Sequence, residues 1–194
     1  NQGKAPLFEP GLDDLIKAEH GDGRLDFTTN KEEAVKKSRV VWITFDTPVD
    51  QDDKADVEFV ANETRSIFPF LENDTDVLVS SQMPVGSTTK LKQEYKKMFP
   101  DKKISFLYSP ENLRLGKAID AFTKPDRIIA GADNETDTAR IHKILSAFCN
   151  RIEWMSVESA EMSKHALNSF LATSVTFINE LAGICEEVGV DAKE

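Results

Sequence analysis

The chain has 194 residues, 40% hydrophobic and 30% charged, a folded globular composition with room for one good-sized domain or one domain and part of another. Its formal charge of −10 and lack of a Lys/Arg cluster argue against nucleic acid, which needs a concentrated basic surface to displace counterions. No apolar run approaches the roughly 18 residues of a membrane span, and NQGKAPLFEP has no signal-peptide core, so no membrane is expected and the expected setting is the cytoplasm.

In chain order, short β-rich runs alternate with helical segments. The chain opens in a loop-like stretch, and RLDFTT (24–29) is the first β-rich run. Asn30 is placed to cap a helix over KEEAVKKS. RVVWITF (39–45) is almost continuously apolar, as a strand covered on both faces must be. A polar loop follows, then a helix in which Val57, Val60, Ala61 and Ile67 recur at helical spacing. TDVLVSS (75–81) is the next strand and STTKLKQEYKKMF the next helix; KISFLYS (103–109), a short helix around 113–121 and DRIIAGA (126–132) continue the alternation. A helix over 135–148 and a strand RIEWMS (151–156) complete it. Five or six strands separated by helices predict an α/β fold with a mainly parallel sheet and right-handed crossovers.

From about Ser159 to Val188 the pattern becomes one long helix. Met162, Leu167, Phe170, Leu171, Val175 and Ile178 recur at i, i+3, i+4 spacing, and about 30 residues make a rod of roughly 45 Å. A rod that long bridges two domains or two subunits. It also carries Lys164 and Asn168 four residues apart, which puts them side by side on one face. Taken alone, the pair reads either as a solvated edge, with Lys164 pairing to Glu161, or as groups held in a cleft to do chemistry.

Cys149 and Cys185 have no CxxC or Cys/His spacing and read as small buried thiols; His20, His142 and His165 form no metal-ligand pattern, so no metal is expected. Gly21, Gly23, Gly116, Gly131 and Gly183 do not make the GxGxxG turn that brings backbone close to a dinucleotide pyrophosphate. The expectation is an incomplete Rossmann-like sheet whose first βαβ unit is absent, leaving a sheet edge to be covered by a partner or a neighbouring segment.

Six stretches then fit together in order: LFEPGLDDLI (7–16), DTPVD (46–50), SSQMPVGST (80–88), SPENLRLGKAID (109–120), KPDRIIAG (124–131) and SAEMSKHALNSFLATSVTFINELAGICEEVGVD (159–191). Together they resemble the UDP-glucose/GDP-mannose dehydrogenase family of nucleotide-sugar 6-dehydrogenases over nearly the whole chain. The resemblance implies an NAD-binding Rossmann-like domain, here its remainder at 1–156, and a long central dimerisation helix at 157–194. It implies oxidation of the C6 alcohol of a nucleotide sugar to a carboxylate with two NAD+, through an aldehyde captured by a cysteine and a thioester cleaved by water. Neither Cys149 nor Cys185 matches that nucleophile, so this chain by itself is expected to show no NAD-dependent turnover.

Residue by residue, Lys164 and Asn168 match the family's helix-borne pair, which stabilises negative charge on the sugar oxygen. Glu111 matches a glutamate associated with the hydrolytic water; its bland alternative is an acid at a helix N-terminus. Thr47 and Pro48 match a strand-end element near the cofactor, and Ser81 and Gln82 occupy the comparable place after the next strand. Asn112, Leu113 and Arg114 are the candidates for substrate contact. Gln82 stands where the family commonly has threonine and Leu115 where it commonly has a second acid, which leaves the particular nucleotide sugar open. A β-hydroxyacid or 6-phosphogluconate type dehydrogenase, which also presents Lys and Asn on a helix, is the nearest alternative; a non-catalytic dimerisation or nucleotide-binding module is the alternative from another class. The implied partners are a nucleotide-sugar substrate and a second copy of the chain, bound through the long helix.

Overall fold

The near-continuous apolar runs become an open five-stranded sheet in spatial order β1 (Val40–Ile43), β2 (Thr75–Val79), β3 (Ile104–Tyr108), β4 (Ile128–Gly131) and β5 (Ile152–Met155). The computed structural model describes residues 4–52, 54–134 and 138–192. Strand β2 lies inside the sheet with all five residues buried, which is why its sequence shows no alternation. Its side chains still divide by the period of two. Val77 and Val79 enter one core with Phe106 and Tyr108 of β3, and Leu78 enters the other with Leu107.

The first core is closed by α2 (Lys31–Lys36), α3 (Val57–Ile67) and α4 (Ser87–Met98), which contribute Val35, Val60, Ile67, Leu91 and Tyr95. The second is closed by α6 (Ala139–Leu145) through Ile141 and Leu145. Helix starts follow local chemistry. Asn30 accepts the Glu33 N–H at 3.2 Å and Asp56 accepts the Phe59 N–H at 3.0 Å.

The sheet is mainly parallel, as expected, with one antiparallel junction. Strands β1, β2 and β3 are parallel, whereas β3 meets β4 antiparallel, at the single pair Tyr108↔Gly131, and β5 is parallel to β4. The connecting helix α5 (Ala118–Thr123) has six residues, about 9 Å. The five-residue strand β3 is roughly 17 Å long. Because the last residues of the two strands pair, β4 starts beyond the carboxyl end of β3 and runs back toward it.

Four expectations are corrected. RLDFTT at 24–29 forms no strand: the chain turns back on α1 (Leu12–Gly21), with the Leu25 N–H bonded to Glu19 O, and no ladder partner lies alongside among the described residues. Helix α1 itself replaces the expected opening loop. The short helix lies at Ala118–Thr123 rather than around 113–121. Of the helix expected over 135–148, residues 135–137 lie outside the described residues, and the described helix closes at Leu145.

The chain divides into two units, residues 1–161 and 162–194. Both contain part of α7 (Val157–Val188), whose 32 residues make a rod of about 48 Å. It begins two residues earlier than expected because Ser156 Oγ accepts the Ser159 N–H at 3.2 Å. Its first turn, Val157, Ala160 and Glu161, is buried in the first unit. Gly131 permits that burial: a Cβ there would stand 2.8 Å from Val157 Cα and 2.9 Å from Ala160 Cβ. In the second unit the helix is apolar and uncovered, with Phe170, Val175, Phe177, Ile178 and Ile184 all exposed.

Candidate functional site

The carboxyl ends of the parallel strands β1, β2 and β3 bring three candidate segments to one end of the sheet. Thr47 follows β1 and its hydroxyl donates to Gln82 O at 2.8 Å, while Ser81 after β2 is buried and its hydroxyl donates to Phe45 O at 2.7 Å. The two strand-end loops are thereby tied in both directions. Pro48 and the Gln82 side chain lie exposed beside these ties.

Beneath the loops a chain of hydrogen bonds crosses four strands. Trp42 Nε1 donates to Ser80 Oγ (2.8 Å), Ser80 Oγ to Ser109 O (2.6 Å), and Ser109 Oγ to Ile129 O (2.8 Å). Sequence reasoning passed over Ser80 and Ser109. Their signal was the small hydroxyl residue directly after each apolar run, where a buried strand end must satisfy its backbone.

After β3, residues Glu111 to Arg114 are exposed, and Glu111 Oε2 accepts the Leu113 N–H at 2.6 Å. The alternative of a helix N-terminal acid fails, because no helix starts at this point. Instead Glu111 holds a non-helical turn. Leu115, where an acid is commoner, is also exposed.

In the second unit Lys164 is half-buried and Asn168 exposed, one helical turn apart. Glu161, one turn earlier, is not on a solvated edge. It is fully buried, and its two carboxylate oxygens accept the N–H groups of Gly86 (2.5 Å) and Thr88 (3.0 Å). Gly86 precedes α4 in a left-handed conformation and offers no side-chain cap, so Glu161 caps α4 from another helix. Tyr108, at the end of β3, reports the resulting field: burial first, then the charges of Glu161 and Glu111, push its phenol up to about 12.

Cys149 and Cys185 are half-buried free thiols, not the fully buried residues expected. Among the described residues no group of His, Cys, Asp and Glu could hold a metal ion, and no helix is long and apolar enough to cross a membrane. A cavity of about 630 Å³ opens at the other end of the sheet, lined by Asp76, Lys92, Tyr95, Lys103 and Arg140, and contains none of the candidate residues. Ligands of open α/β sheets bind at the carboxyl ends of the strands, so the loops after β1, β2 and β3 remain the candidate site.

Residues 1–149 match the NAD binding domain of the UDP-glucose/GDP-mannose dehydrogenase family, and residues 158–194 match that family's central domain. A UDP-glucose 6-dehydrogenase of Rhizobium meliloti is 35% identical over 100% of this chain and 46% of its own length. Among solved structures, a ternary complex of GDP-mannose dehydrogenase from Pseudomonas aeruginosa superposes with a TM-score of 0.90 at 29% identity, over 99% of this chain and 46% of that one. A UDP-glucose dehydrogenase from Pyrobaculum islandicum gives 0.89 at 31% identity, over 98% and 45%. The chain therefore spans under half the length of these relatives.

Proposed function

The chain belongs to the UDP-glucose/GDP-mannose dehydrogenase family, and on that premise we propose that its whole protein oxidises the C6 alcohol of a nucleotide sugar, UDP-glucose or a close analogue, to the carboxylate. The observation that carries the reading is the match to both family domains in order, with Lys164 and Asn168 inside the matched central domain. It favours this substrate class over small hydroxyacids.

Residues 1–149 are the NAD-binding part. The edge formed by β1, β2 and β3 fits one part of a dinucleotide cradle, with Thr47, Pro48, Ser81 and Gln82 as the residues that would hold the cofactor. The glycine-rich turn that meets the pyrophosphate is not among this chain's residues. NAD+, when bound, supplies the hydride acceptor. The overall balance is one alcohol, one water and two NAD+ giving one carboxylate, two NADH and three protons.

Lys164 and Asn168 stabilise negative charge on the sugar oxygen as the C6 carbon loses hydride; an ammonium and a fixed amide N–H are strongest where water is excluded. Glu111 orients and deprotonates the water of the hydrolytic half, and Asn112, Leu113 and Arg114 contact the substrate. Helix α7 (Val157–Val188) is the dimerisation helix expected within 157–194, a role supported by its exposed apolar residues.

The test is NADH formation by the product of the complete reading frame across UDP-glucose, GDP-mannose and their N-acetylated analogues. Two NADH per nucleotide sugar consumed are expected. Activity confined to small hydroxyacids, or one NADH per substrate with release of the aldehyde, would refute the reading.

A further inference from the structure

The motif LFEPGLDDLI has no part in the chemistry above, yet it reaches the loop that carries the proposed substrate contacts. Glu9 Oε2 accepts the Gly116 N–H at 2.6 Å, and Glu9 Oε1 accepts the N–H groups of Ala118 at 2.8 Å and Ile119 at 3.4 Å. These bonds span more than 100 residues of sequence. They converge on the first turn of α5, where Lys117 provides no side-chain cap.

The rest of the loop cannot supply what Glu9 supplies. Of the loop's other amides, Leu113 N–H is taken by Glu111 and Lys117 N–H by Arg114 O. Without Glu9, three N–H groups between Gly116 and Ile119 would turn to water, and the left-handed turn at Gly116 (φ 84°) would keep the Lys117 N–H to Arg114 O bond but lose its tie to the rest of the fold.

Glu9 itself is held firmly. It is half-buried, its carbonyl accepts the Leu12 N–H at 3.1 Å, and the preceding segment is tied down by the Ala5 N–H donating to Asp13 Oδ1 at 2.8 Å. Gly11 brings this turn against α5, 3.8 Å from Ile119 Cδ1 to the position a Cβ would take.

We propose that Glu9 is a positioning residue for nucleotide-sugar recognition, setting the conformation of loop 111–117 and through it the placement of Glu111 to Arg114. The inference rests on the functional reading above. Glu9 does not touch substrate; it acts through the loop backbone. Its carboxylate also explains why an EPG turn and an RLGKA loop far apart in sequence belong together.

The experiment compares wild type, Glu9→Ala and Glu9→Gln in the product of the complete reading frame. Tryptic cleavage after Arg114 and Lys117 should quicken at least tenfold in Glu9→Ala and less in Glu9→Gln, which keeps one acceptor oxygen and serves if the alanine variant folds poorly. The KM for the nucleotide sugar should rise about tenfold in Glu9→Ala, with the KM for NAD+ within twofold of wild type. Wild-type cleavage rates in both variants would overturn the tether. A loosened loop with an unchanged sugar KM would overturn the positioning role. Absence of nucleotide-sugar turnover by the wild type would sink the functional reading and the substrate part of this proposal with it, while the cleavage rates still judge the tether.

Discussion

At the scale of single residues, Lys164 and Asn168 are proposed to do the electrostatic work of the reaction. Groups aimed at developing negative charge typically contribute about a hundred- to a thousandfold in kcat when removed singly. Lys164→Ala is therefore expected to lower kcat by about that factor with a small change in the nucleotide-sugar KM, and Asn168→Ala to act in the same direction; steady-state rates of the product of the complete reading frame decide it. Tyr108 gives a residue-scale prediction that needs no substrate. Its folded pKa of about 12 lies above the ordinary value of 10.0, so the native state holds the phenolic proton more tightly than the unfolded chain. The associated stability is fully present below pH about 10 and is lost as the pH rises through about 12, on the order of 2 kcal/mol in total. Tyr108→Phe cannot ionise, so its melting temperature should fall less steeply than that of wild type between those pH values. Tyr95, whose phenol burial also raises, supplies the comparison through Tyr95→Phe.

At the scale of elements, the decisive contact is between the end of β4 and the first turn of α7. Gly131 is required by proximity rather than by backbone torsion, since a Cβ would meet the Val157 backbone at 2.8 Å. Gly131→Ala must push strand and helix apart and is expected to cost about 1–3 kcal/mol, read as a lower urea midpoint with an unchanged slope. The same helix turn sends Glu158 to the Thr89 hydroxyl at 2.5 Å and Glu161 to the amides of Gly86 and Thr88. The start of α4 thus depends on residues some 70 positions later. Some elements were legible from sequence and some were not. Asn30 and Asp56 announce their helices because the cap is local, whereas α1 starts behind Gly11, which has no capping side chain. RLDFTT has strand-like composition, but a strand exists only with a neighbour to bond.

At the scale of the whole molecule, the two units differ in how they dispose of apolar surface. The first buries it on both faces of a sheet. The second leaves Phe170, Phe177 and Ile184, spaced seven residues apart, 57–68% exposed along with Val175 and Ile178. Uncovered surface of that kind is stabilised by association. A homodimer through this helix is the expected state, and sedimentation should show a dimer that Phe170→Glu with Ile178→Glu converts to monomer. A monomeric wild type at high protein concentration would refute it.

Strand positions, the long helix and the family were readable from the chain, because burial on two faces, helical periodicity and six ordered motifs are all local in sequence. So were the strand-end positions of Thr47 and Ser81, since each stands two residues after an apolar run. Tertiary structure alone decided which amides those candidates and the distant acids would serve. Glu9 read as part of a motif and Glu161, under one of two alternatives, as a surface partner for Lys164, yet both cap helices that begin elsewhere in the chain. The starts of α4 and α5, which lack capping side chains of their own, take the carboxylates the fold brings to them, and nothing local records which ones those are.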